Sequence, residues 1–329
     1  MNSLLRLISA ATLLFWTNSV AAQPVAEAQL RQLQGQDAAL ATIALRLTTG
    51  NAVLCTARMP VTGASLHAAN QYPESLAGAV AAVFRFAAPL SVGVVVADSP
   101  AAAAGLREND GVLAVDGLVP PAEDGDGRPD TLVRDAFEAA LVARPADQPM
   151  LWRIKRDGLV LDLRITPVPG CRARFEVVSG RSLIARNDGQ LIKLSAGYVA
   201  LLHPDELAVI VAHELAHSAL LHRQRLVAAG VSKGLLAEFG HNGRLNRTVE
   251  READRLSVYL LRNAGFDPAS AERFWRERGP ALDGGFLRSR THDSWRTRAE
   301  LIAAEIAAMP AGPLPLTPVW LAERDAPLR

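Results

Sequence analysis

Two histidines and a glutamate stand together in the run His213-Glu214-Leu215-Ala216-His217. In a helix, residues four apart leave the same face, so both imidazoles can bind one metal ion. Glu214 lies about 100° further round such a helix, where its carboxylate can reach a metal-bound water without binding the metal. Neutral imidazole is a good ligand for Zn²⁺, and a catalytic zinc keeps one position open beside three protein ligands. The spacing therefore predicts one Zn²⁺ per chain with Glu214 as general base.

The helix that carries these residues is expected at 207–222, and Pro204, Asp205 and Glu206 suit its first turn. Positions around the two histidines are apolar nearly all the way round, so we expect the helix to be buried. Buried histidines and a buried glutamate need polar partners, which a metal ion supplies. The alternative is a helix that carries two surface histidines.

The third ligand decides the kind of zinc site. A metzincin would need a glycine and a histidine where Leu220 and Arg223 stand, which excludes that class. A later predicted helix, 248–262, offers a carboxylate instead, because Glu250 and Asp254 are four residues apart on one face.

Glu250 is the predicted third ligand, and Asp254 is predicted to accept a hydrogen bond from a ligand histidine and so fix its tautomer. Glu252 is expected to point elsewhere, since it lies two residues from Glu250. The alternative for Glu250 is an ordinary solvated carboxylate.

Two longer segments resemble one family. The runs "VIVAHELAH" (209–217) and "EREADRLSVYLLRNAGFDP" (250–268) resemble the zinc peptidase family of HtpX and the CaaX prenyl proteases. That resemblance covers residues 171–308 and implies a zincin-type fold in which His213, His217 and Glu250 bind zinc and Glu214 is the catalytic base. The membrane helices of the prenyl proteases are absent, so the chain is more similar to the family's soluble periplasmic members.

A third element of that family, Thr-His-Pro with an arginine six residues after the histidine, resembles Thr291-His292-Asp293 and Arg298. Aspartate replaces the proline, so a differently shaped loop is expected. The resemblance implies that His292 approaches the open metal position or stabilises the oxyanion, and that Arg298 supports the transition state. For His292 the alternative is a histidine in a surface loop.

Upstream, "DSPAAAAGL" and "GVLAVDG" are followed by a predicted helix at 132–142 and a hairpin around Asp157-Gly158. This order resembles a PDZ domain of the kind found in bacterial proteases. The resemblance implies a groove that binds an extended peptide and its terminal carboxylate. Residues 83–86 are our candidate for the carboxylate loop, and the acidic run 118–129 is expected to be a surface insertion.

The first residues are typical of a secretory signal, with one charge at Arg6, an apolar stretch, and small residues before Gln23. Cleavage near Ala22-Gln23 would place the protein in the bacterial periplasm or outside the cell, and membrane association is expected only if the signal is uncleaved. In an exported chain the only two cysteines, Cys55 and Cys171, favour a disulfide over two buried thiols.

These patterns predict an α+β protein: a signal peptide (1–22), a helical segment (23–79), a β-rich PDZ-like domain (80–168), a mainly helical zincin-type peptidase domain with a small sheet (171–309), and an irregular tail (310–329). Net charge is +1 and no dense basic block appears, which argues against a nucleic-acid partner.

The expected function is a zinc endopeptidase whose partners are protein or peptide substrates, with a chain terminus as ligand of the PDZ-like domain. The run 189–197 could be an edge strand that pairs with extended substrate. The alternative for this run is an ordinary core hairpin. The alternatives are a PDZ binding protein with a structural zinc, or a chaperone-like quality-control factor. Glu214 argues against a structural zinc, since a closed site needs no adjacent base.

Overall fold

The computed structural model describes residues 14–122, 128–231, 240–282 and 293–328, with the backbone alone for 14–22. Within them the protein is a mixed α+β fold, as predicted. The helices are α1 Leu14–Gly50, α2 Ala77–Phe84, α3 Pro100–Ala103, α4 Leu132–Val142, α5 Ala196–Leu201, α6 Pro204–Ala219, α7 His222–Ala228, α8 Gly240–Asn263, α9 Ala269–Leu282 and α10 Trp295–Ala308.

The strands form three small sheets. They are β1 Arg58–Val61, β2 Ala64–Ala68, β3 Leu90–Val95, β4 Gly111–Val115, β5 Met150–Arg156, β6 Leu159–Ile165, β7 Val168–Cys171, β8 Arg174–Val178, β9 Ala185–Asn187 and β10 Leu191–Ser195. An antiparallel sheet has the order β2-β3-β4-β5-β6, β1 pairs with β7, and β10 lies between β8, which is parallel to it, and β9, which is antiparallel.

The five-stranded sheet follows the predicted turn chemistry. Ser99 caps α3 by accepting a hydrogen bond from the Ala102 N–H at 3.2 Å, with Pro100 in the first turn. Asp157 and Gly158 both have positive φ, 49° and 80°, which is the backbone of a two-residue hairpin turn. Trp152, Phe137 and Ile154 are buried in a core between this sheet and α4.

One expectation for this region differs from the structure. The sheet begins at Ala64 in β2 and not after the boundary predicted at residue 80. Strand β2 has only five residues, with a serine and a histidine among apolar ones, and this gives too little periodicity to be identified from the sequence.

In the candidate carboxylate loop, Val83 and Phe84 end helix α2, and Arg85 and Phe86 follow it. Phe84 is buried, and its ring lies 4.8 Å from that of His67. Carboxylate binding by this segment stays a prediction.

A second core joins α1 to the helical part of the chain. Leu40 and Leu47 of α1 are buried with the sheet β8-β10-β9 and with α6, α8, α9 and α10. The predicted irregular tail also contributes, because a short 3₁₀ helix at Val319–Glu323 buries Leu321. Every described helix is too short or too polar to cross a membrane.

The predicted disulfide between Cys55 and Cys171 is present, and it joins residues 116 apart in the sequence. Cys171 lies opposite Arg58 in the β1-β7 pair, so the bridge closes the two ends of the segment that contains the five-stranded sheet. Cross-linking a loop of about 100 residues stabilises the fold by about 4.7 kcal/mol in the chain-entropy model.

Asp37 of α1 gives the first testable prediction. It lines a cavity of about 430 Å³ between α1, β2 and β8, together with His67 and Arg134. Burial raises the pKa of Asp37 to about 7, although the Val177 N–H and Arg134 oppose the shift. Between about pH 4 and pH 7 the unfolded chain releases this proton while the folded protein keeps it, so this carboxyl makes stability fall as pH rises through that window.

The measurement is urea unfolding of wild type and Asp37→Asn at about pH 4.5 and pH 7. The difference between the two proteins isolates Asp37, since burial lowers the pKa of His67 to about 3 and gives a slope of opposite sign. We expect the variant to gain stability over wild type as pH rises. Parallel pH profiles of the two proteins would contradict the assignment.

Candidate metal centre

Helix α6 holds the two histidines. Its first turn forms a capping box, in which the His203 N–H donates to Glu206 at 2.8 Å, and Glu206 also pairs with Arg278 at 2.7 Å. The buried side chains that were expected around the histidines, Val211 and Leu215 among them, pack into the second core. The helix ends at Ala219, three residues before its predicted end at 222.

Three potential ligands converge on one point. Their ligand atoms, on His213, His217 and Glu250, all lie within 4.8 Å of one another. The Nε2 atoms of the histidines are 3.2 Å apart, and the Glu250 carboxylate oxygens lie 3.3 Å from His213 Nε2 and 3.6 Å from His217 Nε2. Tetrahedral ligands at bond lengths of about 2.0–2.2 Å are separated by about 3.3–3.6 Å. The three side chains therefore fit a metal ion of this size.

The electrostatics of the cluster also favour a cation. Burial lowers the pKa of His217 to about 3, which keeps the imidazole in the neutral form that binds metals. For His213, burial opposes protonation, yet hydrogen bonds to Asp254 and Glu250 raise its pKa to about 10. The carboxylates around His213 thus stabilise a positive charge between the ligands, whether a proton or a metal ion.

Asp254 lies where the helical spacing predicted. It contacts Nδ1 of His213, the ring nitrogen that faces away from the other two ligands. Its Oδ1 is 3.0 Å from His213 Nδ1, and Arg298 donates to both oxygens, at 2.6 and 2.7 Å. Burial would raise the pKa of Asp254, but the Arg298 charge and the His213 hydrogen bond hold it at about 2. Asp254 is therefore an ionised acceptor that orients His213.

Arg298 is buried behind His213. Its guanidinium carbon lies 3.7 Å from the centre of the Trp275 ring, and its nitrogens bind Asp254 on the Nδ1 side of His213. It also lines a small cavity of about 130 Å³ with His213 and Glu214. These contacts make it a partner of Asp254, and its support of a transition state stays a prediction.

His217 has a partner that the sequence did not reveal. Its Nδ1 is 2.9 Å from His222 Nδ1, and His222 Nε2 is 3.0 Å from Glu252 Oε2. Glu252 is not among the three converging ligands, in line with the expectation that it points elsewhere, and it binds His222 and Arg225. The only signal in the sequence was a histidine five residues after His217, and a continuous helix would have placed it on another face.

An open cavity borders the three ligands. It has a volume of about 450 Å³, and Glu214 lines it together with His213, His217 and Glu250. Strand β9 forms another wall, where Asn187 donates to the Glu214 carbonyl and, at 2.9 Å, to Ser218 Oγ. A group bound by the three ligands would thus lie at the wall of an open cavity that Glu214 also lines.

The strand beside this cavity is not the one the sequence suggested. The run 189–197 contains β10, whose two neighbours β8 and β9 leave it no free edge, so it is the core strand of the alternative reading. Within the described part of the chain, the edge strand next to the ligands is β9.

Residues Thr291 and His292 lie outside the described residues. The neighbouring Asp293, which replaces the proline of the resembled pattern, forms an ion pair with Arg251 of α8, one residue after Glu250. The chain leading into α10 is therefore attached to the helix that carries the third ligand.

Comparison with known proteins gives no family for this chain. No protein-family model matches it, and no curated protein is a significant match.

Proposed function

We propose that this protein is a zinc-dependent endopeptidase that hydrolyses peptide bonds of exported proteins. The observation that carries the proposal is the convergence of His213, His217 and Glu250 at ligand distances, beside Glu214, in an open cavity of about 450 Å³. A structural zinc would have a fourth protein ligand, whereas a catalytic zinc keeps an open position facing substrate.

His213, His217 and Glu250 would hold the ion. When bound, Zn²⁺ polarises the scissile carbonyl and makes water a nucleophile near neutral pH. Glu214 accepts a proton from the attacking water and delivers it to the nitrogen of the leaving amine. Asp254 keeps His213 Nδ1 protonated, so that the Nε2 lone pair faces the ion.

Substrate would lie between the zinc ligands and strand β9. An extended peptide can add to a free strand edge through main-chain hydrogen bonds, and β9 borders the cavity that the ligands line. Two further features support the wider proposal. The two runs that resemble a PDZ domain contain α3 and β4, which belong to the unit built around the five-stranded sheet, and a PDZ-like unit would recruit or gate substrate. The disulfide is typical of exported proteins.

The test uses the purified full chain. We expect one Zn²⁺ per chain by metal analysis, cleavage of casein, loss of cleavage when a chelator removes the metal, and recovery when Zn²⁺ is restored. A chain that binds zinc fully yet cleaves neither casein nor a peptide library would refute the peptidase and favour a binding protein with a structural metal.

A further inference from the structure

The chain breaks sharply just after the second histidine ligand. Helix α6 ends at Ala219, Leu221 adopts a left-handed backbone with φ 55° and ψ 31°, and α7 begins at His222. This conformation costs a residue with a side chain about 1–2 kcal/mol. In an unbroken helix, residues five apart would face about 140° away from each other. The break therefore allows His222 to turn back against His217.

The result is a buried contact between two imidazoles. His222 is 1% exposed, and its ring centre lies 4.8 Å from that of His217. The two Nδ1 atoms are 2.9 Å apart, so one hydrogen must lie between them. Which nitrogen carries it follows from the groups on the other side of His222.

Glu252 fixes the direction of these hydrogen bonds. Its carboxylate accepts from Arg225, with Nη2 at 3.3 Å from Oε1, and lies 3.0 Å from His222 Nε2. A carboxylate only accepts, so His222 Nε2 donates to it. A neutral His222 then accepts at Nδ1, and His217 must donate from its own Nδ1.

This arrangement leaves the Nε2 lone pair of His217 facing His213 Nε2 and Glu250, where a metal ion would bind. The opposite arrangement would put a hydrogen on His217 Nε2 and block that position. The two ligand histidines are thus held by different partners, His213 by a carboxylate and His217 by an imidazole that a second carboxylate orients.

We propose that His222 is a positioning residue of the metal site, held by Glu252 and Arg225, that fixes the tautomer and ring orientation of His217 for Zn²⁺ binding. The proposal rests on the proposed function only in its choice of metal. It predicts an effect on zinc affinity that is separate from peptide cleavage.

The main test compares zinc affinity in wild type and His222→Phe, which keeps a ring but loses both hydrogen bonds. Competition between the metal-free full chain and a chromophoric chelator gives the Kd for Zn²⁺. We expect about 10- to 100-fold weaker binding in the variant. Glu305→Gln is the matched control, because it weakens a partly buried ion pair with Arg255 that involves none of these residues and should leave the Kd unchanged.

A second variant and a spectrum separate positioning from general stability. Glu252→Gln keeps an acceptor for His222 Nε2 but loses the negative charge, so we expect a smaller fall in zinc affinity than in His222→Phe. When His222 is already phenylalanine, adding Glu252→Gln should not lower the zinc affinity further. The visible spectrum of the Co²⁺-substituted protein should change in His222→Phe and stay unchanged in Glu305→Gln. If His222→Phe does not fold, Glu252→Gln is the deciding variant. A Kd for Zn²⁺ and a Co²⁺ spectrum that are both unchanged in Glu252→Gln would then overturn the proposal.

The outcomes also separate this proposal from the peptidase. Wild type that binds Zn²⁺ but cleaves nothing contradicts the peptidase alone. Equal zinc affinity in wild type and His222→Phe overturns the positioning role alone. A wild-type chain that fails to bind Zn²⁺ overturns both.

Discussion

Glu214→Gln is expected to bind Zn²⁺ as wild type does and to lose about 10²- to 10⁴-fold in kcat/KM. The reason is that Glu214 lines the cavity beside the ligands but is not one of the three groups that converge as ligands. Glutamine keeps the shape of the side chain and cannot accept the proton of the attacking water. The measurement is peptide hydrolysis at matched zinc content, with the metal bound to each protein determined separately.

Glu206→Gln is the control for this variant, since it is the same substitution on the same helix, about 12 Å away along the helix axis. Glu206 caps α6 and pairs with Arg278, so its loss should lower stability modestly and leave kcat/KM near the wild-type value. Loss of zinc from Glu214→Gln would show that Glu214 supports metal binding. Full activity in Glu214→Gln would exclude it as the general base.

Regular spacing made part of the site predictable. His213 and His217, and then Glu250 and Asp254, are four apart, and helical geometry alone puts each pair on one face. The structure brings the two faces together, with Glu250 beside both Nε2 atoms and Asp254 behind His213. The hairpin at Asp157-Gly158 could also be predicted from the sequence, because both turn residues tolerate positive φ.

Features that depend on a local break or on distant packing were not predictable in this way. His222 reaches His217 only because Leu221 adopts a left-handed backbone, and leucine gives no signal for that conformation. The spacing of Glu252 correctly directed it away from the ligands, but its contact with His222 depends on the same break and could not be inferred. Arg298 lies 44 residues from Asp254, and no periodicity links residues at that separation.

Asp254→Asn is expected to lower both the stability and the zinc affinity. Arg298 is 6% exposed and would lose the carboxylate that it binds with two nitrogens. Breaking a buried ion pair from one side costs about 3–5 kcal/mol. Zinc affinity should fall about 10- to 100-fold, because His213 would be oriented by a neutral amide instead of a carboxylate. Urea unfolding of the metal-free protein and chelator competition measure the two effects independently.

The exposed pair between Arg153 and Asp162 provides the control, since it has the same chemistry with side chains 57% and 43% exposed. Asp162→Asn should cost less than about 1 kcal/mol and leave zinc binding unchanged. The decisive comparison is the double variant Asp254→Asn with Arg298→Met, in which no buried charge is left unpaired. It should recover part of the lost stability while its zinc affinity stays at the level of the single variant. If the affinity recovered together with the stability, Asp254 would act on the metal through the stability of the fold and not through His213.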